Sequence, residues 1–133
     1  MTNRQSPSNG QSTEPTKVRK YDLEERTHRF SKTVRNFVRT LPPSIANNED
    51  SKQLIRSSGS ICANYMEAAE AVSKKGFLNQ IKICKREAKE SWHWLDCLDV
   101  GQSPETLKEH QSLLQESMEL VRIFSASIRT LQH

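Results

Sequence analysis

From Phe77 to Leu98 the chain reads FLNQIKICKREAKESWHWLDCL. Apolar or small residues recur in this stretch at alternating steps of four and three, at Phe77, Ile81, Cys84, Ala88, Ser91, Leu95 and Leu98. A seven-residue repeat kept over three heptads is the period of helices that pack side by side with a left-handed twist. The stretch therefore predicts a long helix that buries one narrow face against other helices.

Three further segments share this helical periodicity. Apolar residues step by three or four over residues 21–41, until Pro42 and Pro43 end the pattern, and again over 49–72. The quoted stretch lies in a third predicted helix, over 75–99. Ser103, Pro104 and Glu105 supply an N-cap, a helix-starting proline and a first-turn acid for a fourth, over 104–131.

The fourth helix carries two apolar rows. We predict that the core-facing row is Leu107, Leu114, Met118, Val121, Ser125 and Ile128. A second row lies beside it and consists of Leu113, Leu120, Phe124 and Leu131.

Four long helices with short connections predict an all-α fold, an antiparallel up-down-up-down four-helix bundle, over residues 21–133. Residues 1–20 are polar, and their charged residues are Arg4, Lys17, Arg19 and Lys20 against Glu14. Such a segment has too little apolar surface to offset its ordering entropy, so we predict a disordered basic tail.

Composition excludes several classes of protein. The chain is only 34% hydrophobic and contains no uninterrupted apolar run of the roughly 18 residues that a membrane span needs. Its first 20 residues have no apolar centre, so they do not predict a signal peptide. Three cysteines without a Cys-x-x-Cys pair do not suggest a disulfide framework. We expect a cytoplasmic protein without a membrane partner.

More apolar surface is present than one bundle needs. Large apolar side chains also occur outside the heptad of the third helix and the first apolar row of the fourth. Exposed apolar patches of this kind usually mark an interface. We predict self-association through Trp92, Trp94, Leu113, Leu120 and Phe124. The alternative is an irregular bundle that buries these side chains within one chain.

Basic residues form a stripe on the third helix. Lys75, Lys82 and Lys89 recur at seven-residue steps, with Lys85 and Arg86 beside them, and the first helix adds Arg35 and Arg39. This stripe is the candidate binding surface for RNA or DNA, and oligomerisation would multiply its charge. No aromatic residue interleaves with it, which predicts contacts to phosphates rather than bases. The alternative is an ordinary solvated face, laced with Glu87, Glu90 and Asp96.

Two patterns raise the question of a metal site. Glu25 with His28, and Glu90 with His93, have the Glu-x-x-His spacing of di-iron bundles. At 100° per residue, however, His93 lies opposite the apolar face of its helix, whereas such ligands project inward. His93 and Cys97 supply two ligands where structural zinc takes four. We expect no catalytic residue, no metal and no cofactor.

Two stretches, over residues 55–68 and 73–95, match a known pattern. The first matches it at Arg56, Ser57, Ser58, Ser60, Ile61, Ala63, Asn64, Glu67 and Ala68. The second matches it at Phe77, Ile81, Ile83, Glu87, Ala88, Glu90, Trp94 and Leu95. The chain thereby resembles the bacterial four-helix bundle family first described from 23S ribosomal RNA intervening sequences. It departs from the pattern at Cys84, where alanine is usual, and at Gly76, where an acidic residue often stands.

This resemblance implies a small four-helix bundle, commonly a barrel-like homopentamer, without known enzymatic activity. One branch of the family is the accessory protein of diversity-generating retroelements, which binds a reverse transcriptase and its RNA. The resemblance therefore implies self-association and either a nucleic acid or a protein, such as a reverse transcriptase, as partner.

The polar residues of the matched stretches are expected to be structural. Asn64 and Glu67, like Glu87 and Glu90, lie three residues apart and so share a helix face. We predict that the set pins the register of the helices, as polar groups do in bundles, with partner binding or catalysis as alternatives. The set comprises Arg56, Ser58, Asn64, Glu67, Glu87 and Glu90.

Three functions are compatible with these observations. We predict a non-catalytic homo-oligomeric scaffold or accessory protein that binds a protein partner, nucleic acid or both through its basic surface. The alternatives are a purely structural oligomer without nucleic-acid affinity and a metal-binding four-helix bundle enzyme.

Overall fold

Four α-helices account for most of residues 20–132, the part of the chain that the computed structural model describes. Helix α1 spans Lys20–Val38, α2 spans Ile45–Ala69, α3 spans Lys74–Cys97 and α4 spans Pro104–Gln132. No strand occurs within these residues. The tail predicted for residues 1–20 lies outside the described residues, apart from Lys20 at the start of α1.

The helices form a four-helix bundle in which each helix packs against its neighbours in sequence. α2 contacts α1 and α3, α3 contacts α4, and α4 returns to α1. Within the described residues the backbones of the diagonal pairs do not approach each other, and diagonal helices meet through core side chains, as Tyr65 of α2 and Phe124 of α4 do with ring centroids 6.4 Å apart. The α1–α4 contact is the smallest of the four. It is bridged by a two-pronged ion pair, in which Arg26 Nε and Nη2 donate to the Glu116 carboxylate at 2.7 and 2.9 Å.

The repeat that predicts α3 is the buried face of that helix. Its members Ile81, Cys84, Ala88, Ser91 and Leu95 are at most 1% exposed. Small side chains in the middle of this row let α2 approach closely. The close approach is seen in the distance of 2.8 Å between the Ser91 hydroxyl and the Ser57 hydroxyl of α2. The heptad prediction for α3 is confirmed.

The burial prediction for α4 was wrong. The fully buried row contains Leu113, Leu120 and Phe124, at 4%, 0% and 0% exposure, and not the row that begins at Leu107. Both rows are apolar and they lie about 100° apart, so helical periodicity alone does not distinguish them. These three residues therefore belong to the core of one chain and are not part of an interface between chains.

Capping groups shift two helix ends from the predicted positions. α2 begins at Ile45 rather than at residue 49, because the Ser44 hydroxyl caps the helix by accepting a hydrogen bond from Asn47 N at 3.0 Å. α2 also ends at Ala69 rather than at residue 72, so that Val72 is fully exposed. Ser73 then caps α3 in the same way, accepting from Gly76 N at 3.0 Å.

A buried asparagine ties two connections together. The Asn47 amide group donates to the carbonyl oxygens of Pro42 and Asp99, both at 2.8 Å, and its oxygen accepts from Asp99 N at 3.0 Å. Asn47 is only 3% exposed. The α1–α2 and α3–α4 connections are therefore joined by one side chain, which satisfies backbone groups that no helix satisfies.

We expect Asn47→Ala to destabilise the protein by about 2–4 kcal/mol, because three backbone groups lose their hydrogen-bond partner in a buried place. Urea unfolding followed by circular dichroism measures this free energy. The matched control is Asn48→Ala, since Asn48 is exposed, and this change should stay within about 0.5 kcal/mol of the unmodified protein. Equal stability of the two variants would contradict the role assigned to Asn47.

Candidate functional site

The predicted basic stripe of α3 lies on the outer surface of the bundle. Lys75, Lys82, Arg86 and Lys89 are exposed and Lys85 is half-buried. Residues seven apart lie nearly two full turns apart, so Lys75, Lys82 and Lys89 share one face of α3. This face is not the one that the heptad row buries, and it therefore faces solvent. A shallow depression of about 410 Å³ lies here, and its lining residues are Lys82, Lys85, Arg86, Lys89 and Glu90.

The lysines of this surface are not neutralised by neighbouring acids. Within residues 20–132, no carboxylate lies within 4.0 Å of Lys82, Lys85 or Lys89. Arg86 alone pairs with an acid, at 3.9 Å from Glu87 Oε2. The alternative of an ordinary solvated face expects these cations to pair with Glu87, Glu90 and Asp96. Among the described residues, only the Arg86–Glu87 pair of this kind is present. We call the five residues Lys75, Lys82, Lys85, Arg86 and Lys89 the α3 basic surface.

The cations of α1 do not join this surface. α1 and α3 are diagonal, and their backbones do not approach each other within the described bundle. Arg35 folds along its own helix, where its guanidinium donates to the Ser31 hydroxyl and to the Ser31 carbonyl at 3.2 Å. Arg39 likewise donates to Asn36 Oδ1 at 3.0 Å. The structure therefore separates Arg35 and Arg39 from the stripe with which they were grouped.

Part of the predicted polar set does join two helices. Arg56 Nη2 of α2 lies 3.3 Å from Glu90 Oε1 and 3.9 Å from Glu87 Oε1, both on α3. The buried pair Ser57–Ser91 lies one position further along each helix. Arg56, Glu87 and Glu90 form what we call the α2–α3 polar cluster.

Three other members of the predicted set do not connect helices. The Asn64 amide donates to the Ser60 carbonyl at 2.8 Å and to the Ser60 hydroxyl at 3.0 Å, both within α2. Buried Ser58 donates to the Ile55 carbonyl of the same helix at 3.2 Å. Glu67 is exposed and forms no ion pair among residues 20–132. The prediction that Ser58, Asn64 and Glu67 pin the helix register was wrong, because periodicity places a residue on a face without naming its partner.

Glu87 is the one buried acid of the cluster. It is 6% exposed, and its Oε1 has no hydrogen-bond partner within the described residues. Burial raises the pKa of this carboxyl, and the nearby Glu90 raises it further, while Arg56 and Arg86 act in the opposite direction.

The cysteines and histidines do not converge on a metal site within the described residues. No group of three or more potential ligands is placed to hold a metal ion there. His93 Nε2 and Cys97 Sγ are 3.8 Å apart on the exposed side of α3. Burial raises the pKa of Cys84 to about 12, so this thiol stays protonated at neutral pH and is not an activated nucleophile.

The apolar surface that remains exposed differs from the predicted one. Trp92 is 36% exposed and Leu107 is 43% exposed, whereas Trp94 is half-buried and packs against the core. The other exposed large apolar residues of the described chain are Ile45, Met66 and Val72 of α2 and the α2–α3 connection. Beside Leu107 on the outer side of α4, half-buried residues continue its row. We define the outer α4 row as Leu107, Leu114, Met118 and Val121. Leu114 and Val121 of this row also pack against the edge of the core, so the core assignment from periodicity is correct for their inner sides and wrong for Leu107.

Comparison with known proteins bears out the family resemblance. A family model described as 23S rRNA-intervening sequence protein matches residues 19–126. Among solved structures, the chain is similar to the crystal structure of a protein of unknown function from the S23 ribosomal protein family of Bacteroides thetaiotaomicron VPI-5482. The two chains are 26% identical with a TM-score of 0.66, over 80% of this chain and 97% of the other. No curated protein matches the chain.

We expect Glu87→Gln to raise the free energy of unfolding at pH 7. The folded state raises the pKa of Glu87, so its charged form costs stability above that pKa, and the cost fades as pH falls toward about 4, where an unfolded glutamate also binds its proton. The gain should therefore shrink as pH is lowered, in urea unfolding measured from pH 4 to 8. Glu119→Gln is the matched control, because Glu119 is exposed. A loss at pH 7 that grows with pH would show instead that Arg56 and Arg86 stabilise the carboxylate overall.

Proposed function

The chain belongs to the 23S rRNA-intervening sequence protein family, and from that premise we propose that it is a non-catalytic, self-associating scaffold that binds nucleic acid. The α3 basic surface is the binding site in this proposal. The observation that carries it is the row of lysines on α3, which have no acid within 4.0 Å in the described chain. A row of surface cations without acidic partners is typical of proteins that bind the phosphates of nucleic acids.

The proposed self-association uses the outer α4 row. Leu107 is 43% exposed, and Leu114, Met118 and Val121 are half-buried, with Leu114 and Val121 resting on the core of their own chain. When a second chain covers a contiguous apolar row of this kind, apolar surface is removed from water, and this burial favours association. We propose a ring of copies, of which the pentamer is the form that the family resemblance implies. Each added copy adds another α3 basic surface to the assembly.

The proposed topology is up-down-up-down, with neighbouring helices antiparallel. Its support is the order of contacts along each helix pair. Ser57 of α2 meets Ser91 of α3, and the Ile61 carbonyl further along α2 meets Cys84 earlier in α3. Between α1 and α4 the order is also reversed, since Arg26 meets Glu116 and Phe37 stacks on His110.

Absence of enzymatic activity and a cytoplasmic location complete the proposal. The α2–α3 polar cluster, in which one arginine meets two acids, joins two helices. Cys62, Cys84 and Cys97 are all free thiols, which is typical of a reducing compartment. No helix among residues 20–132 has the length and apolarity needed to cross a membrane.

We expect Leu107→Glu combined with Met118→Glu to convert the assembly into monomers, because two carboxylates would have to be buried in the contact. Native mass spectrometry at about 10 μM, a concentration in the range of ordinary micromolar association, reports the subunit number. The matched control is Ile45→Glu with Val72→Glu, since Ile45 and Val72 are also exposed, at 86% and 102%, but lie outside the row. A monomeric unmodified protein, or an assembly that survives in the first double variant, would contradict the proposal.

We expect Lys82→Glu combined with Lys89→Glu to weaken binding to unrelated RNA and DNA sequences by a similar factor, because phosphate contacts carry no base information. The slope of log affinity against log salt should become less steep by about one for each phosphate that a lysine no longer neutralises. Fluorescence anisotropy over a salt series measures both quantities. Lys32→Glu with Lys108→Glu changes the net charge equally, away from α3. Equal weakening in both double variants would mean that overall charge, and not the α3 basic surface, attracts the nucleic acid.

A further inference from the structure

One exposed aromatic side chain lies against the α3 basic surface. Trp92 follows Lys89 by three residues and Lys85 by seven, so Lys85 and Trp92 lie on nearly the same line along α3. The helical rise between Lys89 and Trp92 is about 4.5 Å. Trp92 is 36% exposed. The basic surface therefore has an indole at its edge, within one turn of an unpaired lysine.

The two tryptophans of the chain have different surroundings. Trp94 is half-buried, packs against the core and contacts the His93 ring edge-on at a centroid distance of 4.7 Å. Trp92 has no aromatic ring partner among the described residues. Its indole is thus the one that a ligand on α3 can reach.

A row of lysines beside an accessible indole favours single-stranded over duplex nucleic acid. Proteins that bind single strands combine cations along the backbone with aromatic side chains on which bases stack. In a duplex the bases are already stacked and paired, so an indole at the protein surface cannot stack on them without opening the helix. Phosphate contacts alone do not discriminate in this way, since both forms present phosphates.

We propose that the α3 basic surface binds single-stranded nucleic acid and that Trp92 stacks on one of its bases. This inference rests on the nucleic-acid binding proposed above and adds the strand state and a base contact. It differs from the sequence analysis, which found no aromatic residue within the stripe and predicted Trp92 for an interface between chains.

The test uses the full chain with Trp94→Phe, which leaves Trp92 as the only tryptophan, since the sequence contains two. A 15-nucleotide oligo(dT) strand and a 15-base-pair duplex, both long enough to span the roughly 10 Å from Lys82 to Lys89, are titrated at the same low salt. We expect the single strand to quench Trp92 emission and to bind at least ten times more tightly than the duplex. In the reciprocal variant, Trp92→Phe, the emission of Trp94 should not change.

Affinity measurements on Trp92 variants complete the test. Trp92→Ala should weaken single-strand binding by about 5- to 150-fold, the range of one base–aromatic stack, while Trp92→Phe keeps most of the affinity. The salt slope should be the same in both variants, because neither removes a phosphate contact. Duplex affinity should not depend on residue 92.

Three results would overturn the inference. Equal affinity for strand and duplex without quenching of Trp92 would leave nucleic-acid binding in place but exclude the stack. A fall in assembly mass for Trp92→Ala in native mass spectrometry would assign Trp92 to the contact between chains. Absence of binding to either oligonucleotide, even at low salt, would overturn the proposed function itself.

Discussion

Burial of the heptad row of α3 is the constraint on which the rest of the structure depends. This helix packs against both α2 and α4, and its row is small in the middle, at Cys84, Ala88 and Ser91. Small side chains let the helices approach until Ser57 and Ser91 form a hydrogen bond at 2.8 Å. Once that row faces inward, helical geometry turns Lys75, Lys82 and Lys89 toward solvent. The positive surface thus follows from the packing of the core.

The position of the acids on α3 decides how positive that surface is. Glu87 and Glu90 lie between the buried row and the lysines, on the side of α2, where both approach Arg56. Glu87 is almost completely buried, so its charge is directed into the α2–α3 contact. Arg56 thereby compensates acids that could otherwise have paired with the lysines. One inter-helix contact leaves the α3 lysines available for an external anion.

Local hydrogen bonds reinforce both ends of the bundle. Ser44 and Ser73 begin α2 and α3 by capping their first turns. Asn47 then links the α1–α2 connection to the α3–α4 connection through Pro42 and Asp99. α1 and α4 have the smallest contact in the bundle, and the Arg26–Glu116 pair adds to the core packing of Phe30, Val34 and Phe37 that holds α1.

Sequence alone determined the features that depend on one helix at a time. The heptad of α3, the presence of four helices, the lysine row and the family resemblance all follow from spacing along the chain, because 3.6 residues per turn fixes which residues share a face. Tertiary structure decided the relations between helices. It chose the Leu113 row of α4 over the equally apolar Leu107 row, and it separated Arg35 and Arg39 from the α3 lysines by placing α1 and α3 diagonally. It also gave Asn47 a partner 52 residues away, since hydrogen bonds across a bundle depend on packing that periodicity does not encode.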